Sequence, residues 1–377
     1  MKKIVFWASL IFVFLPAFGA QRIQSCMLAA AFGDALGRVT EFIPTTVRIF
    51  EKYPRGVRTF DDFLDSDWRS LPVVFSRAKI APYTDDTAMA LLVLDALIEA
   101  VKNSYDLDQT MGLLTHKLVM DMDNPLGWSA SFRAPGNCCI TYVKKLARKM
   151  PQNNHIRGWW RVSPANGKTG GCGSVMRAYP FGLVFADDPE KAKTWAAEHS
   201  FLTHGDPSAR AACAAMAAGV AYAMQNKEQD FVIDQMILAS REYDQATADN
   251  MVSAYCSAQE AKKLLKPHES VFEQLRQPDS MFRKHHDLFF KRFLGWSAQD
   301  AIAGAVYLFA LCGSDTKAAI YLGVHTPGDS DSIATLAGAL VGAYSHERFY
   351  SDTVLRSMEN YTYIRTLAKR VDELRLY

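Results

Sequence analysis

The stretch SIATLAGALVGAYSH, residues 332–346, is rich in Ala and Leu, and its apolar residues recur at three- and four-residue spacing. That period belongs to a helix, and a helix with so little polar surface belongs in a core. CMLAAAFGDALG (26–37), TAMALLVLDALIEAVKN (87–103), ARAACAAMAAGVAYAM (209–224) and AQDAIAGAVYLFALCG (298–313) repeat the pattern. Alternating β-branched strands are missing, and the connecting stretches DNPLGWSASFRAPGN (123–137) and VSPANGKTGGCGS (162–174) are rich in Gly, Pro and Asn. The fold class is all-α. No repeat or low-complexity linker divides the chain, and its most charged part, from about Lys262 to Arg292, reads as solvated helices and a loop.

A chain of 377 residues, 49% hydrophobic, supports one large core. The net charge of +2, from 42 basic and 40 acidic residues, offers no phosphate-tracking surface, so nucleic acid is not an expected partner. The first twenty residues differ from the rest: Lys2 and Lys3, an apolar run from Ile4 to Phe18, then Gly19 and Ala20. This is the pattern of a secretory signal, which places residues 21–377 in one exported domain; a start codon set too far upstream would make the protein cytoplasmic. The run is shorter than the roughly 18 to 20 apolar residues of a membrane span and is broken by Pro16, so no stable span is expected. Seven scattered cysteines read as buried thiols rather than a disulfide framework, and no CxxC pair indicates zinc.

Several stretches invite a false reading. NGKTGG lacks a phosphate loop's first glycine, since position 162 is Val, and GCGSVM has Met176 where a nucleophile elbow needs glycine. His285 and His286 read as surface residues of a basic helix, and His116 and His199 as packing residues.

YTDDT (83–87) and PGDSDS (327–332) remain. Each sets paired carboxylates just before an apolar helix, where helix capping is the plain explanation. Capping needs one oxygen per helix end, however, and a charge there contributes only ~0.3 to 1 kcal/mol. Short carboxylate and hydroxyl side chains converging from two helix starts would make a hard oxygen site suited to Mg²⁺ or Mn²⁺. GDALGRVTEF (33–42) adds Asp34 and Glu41.

These residues, in this order, resemble the ADP-ribosylglycohydrolases. The likeness covers roughly residues 22–346 and runs GDALG (33–37), YTDDT (83–87), RAPGN (133–137), GGCGSVMRA (170–178), LTHGD (202–206) and GDSDS (328–332). The forms RAPG, GCGSVMR and GDSDS look most like the arginine-specific branch; Thr326-Pro327, where a second glycine often precedes GDSD, is a departure that bears on the loop shape. The resemblance implies a compact orthogonal helical bundle with a dinuclear metal cleft. It assigns Thr84, Asp85, Asp86, Asp329, Asp331 and Ser332 to two Mg²⁺ ions, with Mn²⁺ as a substitute and Asp34 and Glu41 in or beside their shell. It gives Asp85, Asp86 and Glu41 catalytic roles. Gly171, Gly173, Ser174 and Met176 of the glycine-rich turn, which is expected to open a helix near Ser174, would bind substrate with Gly136, Asn137 and His204. Trp296 is a candidate for stacking on adenine, with a place in the core as the plainer reading.

The implied activity is removal of ADP-ribose from modified arginine side chains by an enzyme acting as a monomer on ADP-ribosylated protein, with ADP-ribose as product. A hydrolase of another linkage, serine or a free ADP-ribose ester, and a non-catalytic ADP-ribose-binding protein are the alternatives.

Overall fold

The computed structural model describes residues 8–151 and 157–374, with side chains described from Gly19 onward. Among the described residues there is no strand, only two isolated backbone bridges, Ala81 with Met358 and Gly171 with Ser297. Six helices frame the molecule: α1 (Ala8–Gly37), α2 (Asp85–Lys102), α3 (Pro207–Met224), α4 (Ala298–Cys312), α5 (Ser330–Tyr344) and α6 (Tyr361–Glu373). The five apolar stretches of the sequence fall on α1 to α5. Of the expected signal segment, residues 1–7 lie outside the described residues, and residues 8–20 run without a break into α1.

Helix α5 is the centre of the molecule. Every residue from Ser330 to Ala343 is buried, and the helix packs on α1, α3 and α4. Its contact with α1 is made backbone to backbone through glycines spaced four apart on both helices. A Cβ at Gly33 would stand 2.5 Å from the Ala334 carbonyl oxygen, one at Gly37 2.5 Å from the Asp331 Cα, and one at Gly338 2.5 Å from the Ala29 carbonyl oxygen. No side chain fits there without displacing the facing backbone. Asp34 of α1 is thereby carried to the start of α5.

The buried guanidinium of Arg22 fixes the other end of the same pair. Its Nε and Nη2 donate to the Ala343 carbonyl at 2.9 and 2.6 Å, and its Nη1 to the Met224 carbonyl at 3.4 Å. These are C-terminal carbonyls of α5 and α3, which have no partner within their own helices.

The charged region near residues 262–292 departs from expectation. The helix Met281–Arg292 is amphipathic, with Phe282, Arg283, His286, Phe289 and Phe290 buried. His286 packs among Phe282, Phe290 and Tyr307 and is no surface residue. His199 is buried as expected, its Nδ1 2.5 Å from the Ala196 carbonyl oxygen, whereas His116 is exposed. The seven cysteines are all free; Cys26, Cys139 and Cys213 are buried, and Cys256 is exposed.

Candidate metal centre and cleft

Two helix starts face one another. At α2 the Thr84 hydroxyl accepts from the Asp86 N–H at 3.3 Å, and the Asp34 carboxylate accepts from the Thr84 and Thr87 N–H groups at 2.8 and 2.9 Å. The unpaired amides of the first turn are thus served by Thr84 and by a carboxylate from α1, not by Asp85 or Asp86. At α5, Asp329 holds the N-cap position yet makes no side-chain cap hydrogen bond. Ser330 turns instead to α1, donating to the Gly37 carbonyl at 3.1 Å. Among the acidic pairs, Asp86 Oδ2 and Asp331 Oδ1 are left with no such partner.

Those carboxylates point into a cleft of about 370 Å³ lined by Glu41, Asp85, Asp86, Asp329, Asp331 and Ser332. Oxygens of Glu41, Asp329 and Asp331 lie within 4.8 Å of one another. Asp86 Oδ2 and Asp331 Oδ1 are buried without a hydrogen-bond partner. Each such oxygen costs free energy unless something positive meets it. The titrations carry the same message: burial and the charge of Asp331 lift Asp34 to about 6, and burial with Asp331 and Asp329 lifts Glu41 to about 11. Asp85, Asp86 and Asp329 are raised by burial and then by Asp331. A divalent cation reverses that penalty, and an all-oxygen donor set of this density fits a hard one.

The far wall comes from the loop 134–138 and the turn at 171–176. Gly136, Asn137, Gly171, Gly173, Met176 and His204 all line the cleft. The turn is a six-residue 3₁₀ segment, Cys172–Arg177, rather than the start of a long helix. Within it Ser174 faces inward: fully buried, its hydroxyl accepts from Ser200 Oγ at 2.8 Å, and it does not line the cleft. Thr84 is likewise fully buried at the start of α2. His204 is held by a 2.7 Å contact from its Nδ1 to Thr203 Oγ1, which in turn accepts from Arg177 at 2.6 Å. Burial and Arg177 lower it to about 3, so the ring is neutral. Asp34 lies behind the cleft as the anchor of α2. Just after the departure at Thr326-Pro327, Gly328 adopts φ +87°, and a Cβ there would also meet the Leu294 carbonyl oxygen at 2.4 Å, so glycine is required at this turn.

The family model for ADP-ribosylglycohydrolase matches residues 16–376. The chain belongs to the ADP-ribosylglycohydrolase family.

ADP-ribosylhydrolase ARH3 of Gallus gallus is 23% identical over 371 residues, covering 94% of this chain and 93% of its own. The human ARH3 is 25% identical over 337 residues, covering 86% and 85%. An uncharacterized Escherichia coli protein, YegU, is 26% identical over 327 residues, covering 86% and 87%. A solved structure titled as an ADP-ribosylglycohydrolase-related protein complex superposes with a TM-score of 0.61 at 18% identity, covering 95% of this chain and 99% of that one. That likeness shows the shared all-α fold. The family is metal-dependent and acts on ADP-ribosylated substrates with ADP-ribose as product, and the orphaned carboxylate oxygens fit such a metal.

Further residues stand in and around the ADP-ribosylglycohydrolase cleft. Phe42, 66% exposed and at φ +64°, stacks on Trp296 with centroids 5.2 Å apart and planes 24° from parallel. Trp296 is thus a rim residue, 40% exposed, and not a core tryptophan. Cys172 brings its thiol to 3.0 Å from Asp329 Oδ2. Arg133, behind the loop at 134–138, is buried in a bidentate pair with Glu359, at 3.0 and 2.8 Å, and donates to the Tyr83 carbonyl at 2.7 Å. Glu359 lies beyond the last of the sequence motifs, GDSDS at 328–332, and only folding brings it near RAPGN.

Proposed function

We propose that the protein removes ADP-ribose from modified arginine side chains, using two Mg²⁺ ions, by hydrolysing the N-glycosidic bond at the distal ribose. The observation that carries the hydrolase reading is the convergence of Glu41, Asp85, Asp86, Asp329 and Asp331 on one cleft with two carboxylate oxygens left unpartnered. Bound there, divalent ions orient ribose hydroxyls and make water a nucleophile near neutral pH. The chain's own groups do the rest. Asp85, Asp86 or Glu41 takes the proton of the attacking water and faces the positive charge that develops on the ribose ring. Gly171 and Gly173 line the same far wall as Gly136 and Asn137, the side on which the ADP-ribose moiety would lie.

The arginine linkage is favoured by the forms RAPG, GCGSVMR and GDSDS and by the Phe42–Trp296 pair at the mouth. A guanidinium is flat and cationic, and aromatic faces receive it. The relatives' names specify no linkage, so hydrolysis of ADP-ribosyl-serine or of a free ADP-ribose ester is the second reading, and the same carboxylates would serve it. The deciding experiment incubates the purified protein with arginine-, serine- and cysteine-linked substrates, with and without Mg²⁺. Mg²⁺-dependent release from arginine is expected; release from serine alone replaces the linkage, and no release from any substrate leaves a binding protein.

A further inference from the structure

Among the groups facing the acidic cluster, Cys172 differs in kind. Its Sγ lies 3.0 Å from Asp329 Oδ2 and 3.8 Å from Ser332 Oγ. The turn that carries the sulfur is tied to the start of α4 and the residues before it: the Cys172 N–H donates to the Trp296 carbonyl at 3.2 Å and the Ala298 N–H to the Gly170 carbonyl at 2.9 Å. The same cleft holds the two unpartnered oxygens, Asp86 Oδ2 and Asp331 Oδ1, which mark a place for a cation independently of the thiol.

A hard ion such as Mg²⁺ has no use for sulfur, whereas thiolate draws Zn²⁺ and softer divalent ions strongly. One Zn–S and one Zn–O bond end to end span roughly 4.3 Å, so donors 3.0 Å apart can share one ion after a small adjustment. We propose that Cys172 and Asp329 together form a binding position for a soft divalent cation, zinc or cadmium, within the magnesium cleft. As the metal–sulfur bond forms, the thiol proton passes to solvent and no electrons change hands. An ion held this way takes Asp329 from the hard centre, and turnover stops. No CxxC motif announces such a position in the sequence, because the thiol reaches its carboxylate partner by tertiary folding. The inference rests on the cleft binding divalent ions and is independent of which linkage is cleaved.

Co²⁺ titrated into the metal-stripped full-length protein reports directly. The wild type is expected to develop a sulfur-to-cobalt charge-transfer band in the near ultraviolet, saturating at one thiolate per chain. Cys172→Ser should lack the band while still binding Mg²⁺ by calorimetry, and Cys138→Ser, which removes the other thiol on the cleft wall, should keep it. Cd²⁺ affinity should fall at least tenfold in Cys172→Ser. Should that variant fail to fold, alkylation of wild-type Cys172 followed by mass spectrometry replaces it, with protection by Cd²⁺ and not by Mg²⁺ expected. No band in the wild type, a band that survives Cys172→Ser, or alkylation unaffected by Cd²⁺ would each overturn the proposal. If the wild type binds Mg²⁺ normally but shows no sulfur band, only this inference fails; if it binds no divalent ion at all, the metal-dependent function fails with it.

Discussion

Asp85 and Asp331 show how a residue type can be right for two jobs and used for one. Asparagine caps a helix about as well as aspartate, and neither Asp85 nor Asp331 holds the N-cap position of its helix, which belongs to Thr84 and to Asp329. Asp85→Asn and Asp331→Asn should therefore leave the thermal midpoint nearly intact while lowering turnover by at least the ~10- to 100-fold seen for weaker losses around metals. Because both serve one cluster, the double variant should be little worse than either single one. Release of ADP-ribose at near-wild-type rates by either would return the acidic pairs to capping. The raised titrations give a second test. Asp34 binds its proton up to about pH 6 in the fold but only to about 3.9 in an unfolded chain. The contribution of this one group to the stability of the metal-free protein is fully present below the lower value and is lost as pH rises through the higher one. Mg²⁺ removes that repulsion, so the rise in thermal midpoint on adding it should be larger at pH 8 than at pH 5, as calorimetry with and without EDTA can measure.

The helix pair α1 and α5 was legible in the sequence because period and composition are local. So were the acidic pairs, whose spacing needs no partner to be noticed. What the sequence withheld depends on contacts between distant segments. Trp296 reads as core by type, but Gly295, at φ +89° with Asp329 Cβ 2.8 Å from where its own Cβ would be, turns the chain outward at the rim. Ser174 sits amid a glycine-rich turn that does line the cleft, yet the 3₁₀ pitch rotates it inward onto Ser200. Arg133 and Glu359 lie far apart in the chain, and their pairing braces the short segment leading into α2. Ala81 donates to the Ser357 carbonyl at 2.8 Å, Glu359 donates back to Ala81 at 2.9 Å, and the Asn360 amide donates to the Tyr83 hydroxyl at 2.7 Å. Glu359→Ala leaves a buried guanidinium unpaired and should cost about 3–5 kcal/mol in chemical denaturation. Since the Tyr83 carbonyl shares that guanidinium, Mg²⁺ affinity measured by calorimetry should fall as well.

Segments spread from Glu41 to Ser332 line one cavity. Helix α1 begins at Ala8 and carries on past the expected cleavage point near Ala20, with Arg22 just beyond and locked to α5 and α3. We propose that the protein is exported and that processing removes about the first twenty residues. Intact-mass measurement should find a chain beginning close to Gln21, anchored by Arg22; a mass retaining Met1 would refute it. Among the described residues, no helix is long and apolar enough to cross a membrane. The glycine-lined contact between α1 and α5 also governs when the site can exist. Asp34 is made early in synthesis and Asp331 near the end, so no partially synthesised chain holds a complete cation pocket. Binding awaits the closure of the long loop between α1 and α5, which belongs to the late, slow part of folding. An ion that recognises only the finished contact cannot hasten the steps before it. Mg²⁺ should thus leave the refolding rate nearly unchanged and slow unfolding instead, which stopped-flow measurements in both directions would separate. For a protein threaded through a membrane as an open chain, metal would be acquired on the far side, from whatever ions that compartment supplies.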